Sequence, residues 1–163
     1  MNIFRHILIA LLLVLVQVLL LNRIHLLGCG TPLLYVYFVM INPRNMPRWQ
    51  SLPLAFLLGL VMDSFTNTPG VASFSLTLTA FVQSYVLELY LDQNDDDDYV
   101  ASLFKMGWLK YSSYALLLTL VFCLSYFMVE AFSFYQLMQW LMAAGISWAL
   151  TFCMVLAIGS IRR

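Results

Sequence analysis

Hydrophobic residues fill the chain in long blocks, and the few charged residues fall between these blocks. The blocks are about 15 to 22 residues long, which is the length that helices need to cross a hydrocarbon layer about 30 Å thick. The pattern predicts six transmembrane helices, at residues 6–22, 28–42, 49–65, 70–91, 107–129 and 136–160. We therefore expect an all-α, polytopic membrane protein that forms one domain over residues 1–163.

Composition agrees with this pattern. The chain has 163 residues, of which 63% are hydrophobic and 10% charged, whereas a soluble domain is roughly 25% charged. The first apolar segment is followed by Arg23 and His25 and not by a small-residue cleavage site, so we interpret it as a retained span. Leu26 to Cys29 resembles a lipoprotein processing box, but the same two residues interrupt the apolar segment that should lead into it.

Basic residues are distributed unevenly between the two faces that six spans define. The face with both termini carries Arg5, Arg44, Arg48, Lys105, Lys110, Arg162 and Arg163, and the other face carries Arg23 alone. Because basic loops stay in the cytoplasm, both termini are predicted to be cytoplasmic. The run Asp95 to Asp98 then lies in a cytoplasmic loop. We interpret it as solvated, since four consecutive acids lack the alternating ligands of a calcium loop.

The third predicted span carries small residues on the same helix face as an acid. Ala55, Gly59 and Asp63 follow one another at intervals of four. Small residues let a second helix approach closely within a membrane. Donors for the carboxylate follow directly, namely Ser64, Thr66, Asn67, Thr68 and the first backbone amides of the fourth span. We predict that Asp63 fixes the turn between these two spans, the alternatives being contact with a partner or a direct chemical role.

The start of the fourth span is predicted from its turn residues. Thr68 is expected to cap the helix and Pro69 to take its first position. Small and polar residues then follow at helical spacing along one stripe, at Ser73, Thr77, Ala80, Ser84 and Glu88. Such a stripe favours close packing against another helix. A polar ligand channel is the alternative.

Motifs for catalysis or cofactor binding do not occur in the chain. H-E-x-x-H, G-x-S-x-G and Walker patterns are missing, and the three cysteines, Cys29, Cys123 and Cys153, lack metal-site spacing. A formal net charge of zero without a basic patch argues against nucleic-acid binding. We expect a non-enzymatic protein with no cofactor and no bound metal. An enzyme that uses Asp63 together with Glu130 is the alternative.

Three stretches carry a family resemblance. They are the start of the second span, Pro32-Leu33-Leu34-Tyr35, the stretch from Ala55 to Phe65, and the pair Pro69-Gly70. Together they resemble the rod shape-determining membrane protein family MreD. The most specific element is the family's F-x-x-G-L-x-x-D pattern, which is matched by Phe56, Gly59, Leu60 and Asp63.

The resemblance implies a non-enzymatic component of the bacterial cell-elongation (rod) complex in the cytoplasmic membrane. Its implied partners are MreC and, through MreC, MreB, RodA and the transpeptidase partner of RodA, within membrane lipid. The implied role is a scaffold that supports cell shape and lateral peptidoglycan synthesis. The residues expected to have structural or partner-contact roles are Pro32, Tyr35, Ala55, Phe56, Gly59, Asp63, Pro69, Gly70, Ser73 and Thr77.

The family fold is similar to the substrate-binding subunit of energy-coupling-factor vitamin transporters, and this supplies an alternative function. The chain would then be a small-molecule-binding membrane subunit of a vitamin-type transporter. Those subunits resemble one another in an A-x-x-x-A pattern on the first helix. Here Ala10 is followed four residues later by Val14, so the pattern is not matched.

Overall fold

The computed structural model describes residues 3–19, 33–43, 46–90, 101, 106–130 and 137–161. Over these residues the chain is helical and contains no strand, which confirms the all-α prediction. The helices are α1 (Ile3–Leu19), α2 (Val36–Met40), α3 (Arg48–Thr66), α4 (Val71–Tyr90), α5 (Trp108–Glu130) and α6 (Leu137–Ile161). Helices α3 to α6 begin and end within one residue of the predicted segments. Pro32, Cys29 and the run Asp95 to Asp98 lie outside the described residues.

Two helices in the described part of the chain are long and apolar enough to cross a membrane. They are Trp108–Glu130 and the portion Leu141–Ile161 of α6, and Ile7–Leu19 is a shorter apolar helix. Large apolar side chains are also exposed along the outer faces of α1 and α3, at Leu8, Leu11, Leu12, Leu15, Phe56, Leu57, Leu60 and Phe65. Soluble monomers rarely expose contiguous apolar surface of this kind. The outer surface is therefore typical of helices that face lipid or another protein.

Helices α3 and α4 form the most extensively packed pair, followed by α4 with α5 and α5 with α6. The two helices lie close together at Gly59. A β-carbon at this position would overlap the Cα of Ser73 and lie 2.6 Å from its backbone nitrogen. Ala55, one turn earlier, is fully buried. The predicted small-residue face of α3 is thus the face that packs against α4.

The second predicted span is not a continuous helix. Its helical part, α2, has five residues and is about 7.5 Å long at 1.5 Å per residue, which is too short to cross about 30 Å of hydrocarbon. Every residue from 33 to 42 is buried. A helix that is apolar on all sides is typical of a protein interior. Hydropathy alone does not distinguish a protein interior from lipid. The prediction of one continuous helix at 28–42 is therefore wrong over its described part, 33–42, where only Val36–Met40 is helical.

The buried segment nevertheless connects the two ends of the bundle. Tyr35 lies within electrostatic range of Asp63, near the end of α3. Asn42 donates a hydrogen bond of 3.0 Å to Ser51, near the start of α3. Asp63 follows Ser51 by twelve residues, which corresponds to roughly 18 Å of helix. The segment therefore returns the chain across the bundle, and α3 starts at the end where a full span would have placed it.

Side chains from two other helices bind the amides that precede α2. The Leu34 N–H donates to Gln17 Oε1 of α1 at 2.9 Å, and the Leu33 N–H donates to Thr151 Oγ1 of α6 at 3.0 Å. Both bonds are buried. Buried backbone amides that lie outside a helix have no intrahelical acceptor, so other groups must satisfy them. The lone amide side chain of α1 is thus explained by the backbone that it binds.

We predict that Gly59→Ala lowers the free energy of unfolding by about 1–3 kcal/mol, because the added methyl group meets the backbone of α4. The higher helix propensity of alanine, about 1 kcal/mol, offsets only part of this loss. Gly145→Ala is the matched control, since no atom lies within 4 Å of a β-carbon built there. It should leave stability unchanged or raise it. Thermal unfolding of both variants in one detergent measures the difference, and equal stabilities would contradict the close approach at Gly59.

A second prediction concerns Gln17. Gln17→Leu removes the acceptor of the Leu34 N–H and should cost about 1–3 kcal/mol, the penalty for an unsatisfied buried donor. Gln139→Leu makes the same substitution at an exposed position of α6 and should change stability by less than about 0.5 kcal/mol. Circular dichroism melts of the two purified variants provide the comparison. A melting temperature for Gln17→Leu equal to that of Gln139→Leu would show that the buried bond contributes nothing.

Candidate functional site

The turn between α3 and α4 begins at the backbone of Asp63. The Asn67 N–H donates to the Asp63 carbonyl, and the Thr68 N–H donates to the same carbonyl at 3.3 Å. Asn67 has φ 57° and ψ 33°, the left-handed conformation. Asparagine adopts this conformation more readily than most residues and often follows the last residue of a helix. The carbonyl of Asp63 thus ends α3.

The side chain of Asp63 organises the start of α4. Its Oδ2 accepts the Gly70 N–H at 3.1 Å, the Ser73 N–H at 3.1 Å and the Ser73 hydroxyl at 2.6 Å. Its Oδ1 accepts the Ala72 N–H at 2.8 Å. We call this set, formed by Asp63 with Gly70, Ala72 and Ser73, the Asp63 cap. The side chain of Asp63 is only 5% exposed.

The Asp63 cap performs the task of a missing capping side chain. Helix α4 begins at Val71, and the residue before it, Gly70, has φ 88° and no side chain. A capping side chain normally accepts the second or third amide of its own helix. Here the carboxylate of α3 accepts both, at Ala72 and Ser73, and its charge lies near the positive end of the helix dipole. These hydrogen bonds agree with the predicted role of Asp63 in fixing the turn, which stays a prediction.

The predicted start of α4 is wrong. Thr68 does not act as the capping residue and Pro69 does not take the first helical position, because α4 begins two residues later, at Val71. Pro69 is exposed in the turn. The first helical hydrogen bond runs from the Phe74 N–H to the Gly70 carbonyl at 3.0 Å. Once Asp63 supplies the capping oxygens, no side chain is needed at the residue before the helix.

Two of the expected donors bind elsewhere. The Ser64 hydroxyl donates to the Leu60 carbonyl at 2.9 Å, and the Thr66 hydroxyl donates to the Met62 carbonyl at 3.0 Å. Hydroxyls within a helix commonly bond to the carbonyl four residues earlier, because it is the nearest acceptor. The carboxylate of Asp63 therefore draws its donors from α4 and the turn, and not from α3.

The turn is also attached to α5. The Thr66 and Thr68 hydroxyls lie 2.7 Å apart, and the Thr68 side chain lies close to Tyr126 of α5. Asp63 and Glu130 both lie within electrostatic range of Tyr126, so the two acids share one end of the bundle. Their surroundings differ, because Asp63 is buried among four donors whereas Glu130 is exposed. Most of the hydrogen-bonding capacity of Asp63 is therefore used by the fold.

The polar stripe predicted on α4 is only partly buried. Ser73 and Ala80 are buried, Thr77 and Ser84 are half-buried, and Glu88 is exposed. Because α4 packs against α3 and also against α5, its buried face is wider than one stripe. Polar residues that sequence analysis did not select also lie on that face, at Ser75, Thr79 and Gln83.

These buried hydroxyls bind within their own helix. Ser75 donates to the Val71 carbonyl and Thr79 donates to the Ser75 carbonyl, both at 2.7 Å. Thr77 donates to the Ser73 carbonyl at the same distance. Hydroxyls that are paired in this way can be buried at little cost. The arrangement is therefore explained by helix packing and does not require a channel.

A second polar group lies at the opposite end of the helix pair and was not predicted. We call Asn42, Ser51, Gln83 and Tyr114 the Asn42 cluster, and all four residues are buried. Asn42 Nδ2 donates to Ser51 Oγ at 3.0 Å, and Gln83 Nε2 contacts the Asn42 carbonyl at 3.4 Å and the Tyr114 hydroxyl at 3.3 Å. Asn42 Oδ1 is buried and has no hydrogen-bond partner. The sequence feature that could have predicted this cluster is the presence of two amide side chains, those of Asn42 and Gln83, within apolar segments.

The four residues of the F-x-x-G-L-x-x-D pattern divide into two pairs. Gly59 and Asp63 are buried against α4. Phe56 and Leu60 are 45% and 41% exposed, on the side of α3 that borders this packed face. Packing of α3 on α4 therefore explains the first pair and leaves the side chains of the second pair on the outer surface.

Comparisons with known proteins do not assign the chain to a family. The chain matches no protein-family model, no curated protein and no solved structure. Within the described residues, no group of three His, Cys, Asp or Glu side chains is placed to hold a metal ion. The function is therefore inferred from the residues and contacts of the chain itself.

The Asp63 cap leads to a direct prediction. Asp63→Ala should lower the free energy of unfolding by at least about 2 kcal/mol, because three backbone amides and one hydroxyl lose a charged acceptor. Asp63→Asn keeps one of the two oxygens and should cost about 1–2 kcal/mol. Chemical or thermal unfolding of the purified variants measures both effects.

Ser64→Ala is the matched control for the Asp63 variants. Ser64 follows Asp63 directly, is exposed, and donates only to its own helix. Its substitution should change stability by less than about 0.5 kcal/mol. Unfolding of Asp63→Ala at the same temperature as Ser64→Ala would contradict the role assigned to the cap.

Proposed function

We propose that the protein is a non-enzymatic, multi-pass component of the bacterial cell-elongation complex, which it joins in the cytoplasmic membrane as a scaffold. Its proposed partners are MreC and, through MreC, MreB, RodA and the transpeptidase partner of RodA. In this role the protein binds other membrane proteins through the outer surfaces of its helices. The proposal rests on the resemblance of the α3 stretch to the MreD family and on what the residues of that stretch do in the fold.

The observation that carries the proposal is the division of the pattern between buried and exposed residues. Gly59 and Asp63 set the distance and rotation of α4 relative to α3. Phe56 and Leu60, on the same stretch, remain exposed. A rigid helix pair that exposes a large aromatic side chain next to the interface between its two helices is suited to binding a partner helix. Aromatic residues are enriched where binding energy is concentrated.

Membrane insertion with six crossings is part of the proposal. Two helices meet the length and hydropathy needed for a span, and α1, α3 and α4 expose large apolar side chains along their length. The buried segment 33–42 supplies the remaining crossing as a short helix with non-helical flanks, which is tolerated at membrane depth where protein surrounds it. With both termini cytoplasmic, the Asp63 cap faces outward and Arg48 faces the cytoplasm.

The packed interior favours the scaffold over a vitamin-type transporter subunit. Such a subunit needs a cavity that encloses most of its ligand. Here residues 33–42 lie between α1, α3, α4 and α5, and Tyr35 and Phe38 are each only 2% exposed. Tyr35 packs edge-on against Phe122 with ring centroids 5.4 Å apart. These large side chains fill the centre of the bundle. A groove of about 260 Å³ between α1 and α3, which Phe38 also lines, has only apolar lining residues and so lacks the polar groups that orient a vitamin-like ligand.

The proposed surface is tested with two substitutions on one helix. Phe56→Ala should abolish the rescue of rod shape in cells of the native host that lack the chromosomal copy, while the variant still accumulates in the membrane. Phe65→Ala is the matched control, because Phe65 is 59% exposed and lies nine residues later, on the opposite side of α3. Microscopy and immunoblotting of membrane fractions provide the readouts.

A photo-crosslinking residue at position 56 identifies the partner. We expect an MreC-like protein or a cell-wall synthase to be crosslinked at position 56 and not at position 65, with the products identified by mass spectrometry. Recovery of an ATP-driven coupling subunit would instead favour the transporter alternative. Full rescue of rod shape by Phe56→Ala would show that the proposed surface is wrong.

A further inference from the structure

We propose that Asn42, Ser51 and Gln83 of the Asn42 cluster form, together with Glu88, a binding site for a small monovalent cation. The site lies between the start of α3 and the last turns of α4, at the opposite end from the Asp63 cap. It is independent of the proposed scaffold function, because it rests only on the cavity and the side chains around it. The ligand class is an ion the size of sodium, or a cation of similar size that donates hydrogen bonds, such as ammonium.

The first observation is an unsatisfied acceptor inside the protein. Asn42 is 1% exposed, its Nδ2 is bound to Ser51, and its Oδ1 is buried with no hydrogen-bond partner. Burying an amide oxygen without a partner costs about 1–3 kcal/mol on mutational scales. The side chain therefore gains from a ligand that offers a proton or a positive charge.

The second observation is a cavity of matching size beside this side chain. It leaves about 20 Å³ for the centre of a water-sized sphere, and about 10–15 Å³ is sufficient for one such species. Its polar lining residues all carry side-chain oxygens: Asn42, Ser51, Gln83, Ser84 and Glu88. The other lining residues, Pro43, Met46 and Leu87, are uncharged. The cavity therefore has room for one small species and not for an organic molecule.

The third observation is the charge of the lining. Glu88 supplies one carboxylate, and none of the described residues that line the cavity is basic. Oxygen ligands of the carboxylate, carbonyl and hydroxyl type suit hard cations, and the described residues hold no group of three acidic, His or Cys side chains for a multivalent metal. One negative charge balances one monovalent cation. Glu88 is exposed, so an ion can reach the cavity from solution at that side.

The test measures thermal stability of the purified full-length chain in detergent, with sodium, potassium, ammonium or choline chloride at equal ionic strength. We expect a saturable rise in melting temperature with sodium or ammonium that choline, which is too large for the cavity, does not produce. A stronger response to sodium identifies an ion coordinated by oxygen ligands. A stronger response to ammonium identifies a cation recognised through hydrogen bonds.

Asn42→Leu removes the unpartnered amide oxygen and should abolish the response to the cation. Two further variants keep the test decisive if Asn42→Leu fails to fold. Glu88→Gln alters an exposed side chain and should raise the half-saturating cation concentration by about ten- to a hundredfold. Glu130→Gln, at the other end of the bundle and also exposed, should leave that concentration unchanged. Equal melting temperatures in all four salts would overturn the proposal and indicate that water alone fits the cavity. Stabilisation by choline equal to that by sodium and ammonium would overturn it too.

Discussion

Backbone polar groups at helix ends require partners, and the fold depends on how this chain supplies them. Each helix end leaves amides or carbonyls without intrahelical hydrogen bonds. Hydrocarbon has no groups that could form hydrogen bonds with them. Asp63 satisfies the amides that open α4, and Gln17 and Thr151 satisfy those before α2. The few polar side chains within the apolar segments are thus concentrated where helices stop or start. This explains why a chain that is 63% hydrophobic retains a buried carboxylate.

Sequence reasoning succeeded where the relevant information is local. Helices α3 to α6 follow from long apolar blocks. The position of Asp63 beside the start of α4 follows from an acid that shares a helix face with Gly59 and precedes a turn. It failed at the start of α4, because the usual capping rule considers only the residue before the helix, whereas the capping oxygens come from α3. It also failed for α2. Hydropathy reports that a segment is apolar, but not whether lipid or protein surrounds it.

The Asn42 cluster could not be predicted, for a different physical reason. Gln83 contacts Asn42 and Tyr114, which are 41 and 31 residues away in the chain. No periodicity or spacing rule connects such positions, because their proximity is created by the packing of α3, α4, α5 and the buried segment. By contrast, Ser75 and Thr79 bind carbonyls of their own helix. Selection of residues by helical spacing therefore included half-buried residues such as Thr77 and did not include the residues that join separate helices.

Helices α3 and α4 contact each other at three positions along their length. These contacts determine the direction of the side chains on the outer surface of the pair. The Asp63 cap joins the end of α3 to the start of α4, and Gly59 lets the two backbones meet one turn earlier. Near the start of α3, Ser51 is joined through Asn42 to Gln83 of α4. Three contacts along two stiff helices fix their separation and their rotation. The exposed side chains of Phe56 and Leu60 consequently have a defined direction relative to α4, although neither takes part in the contacts that define it.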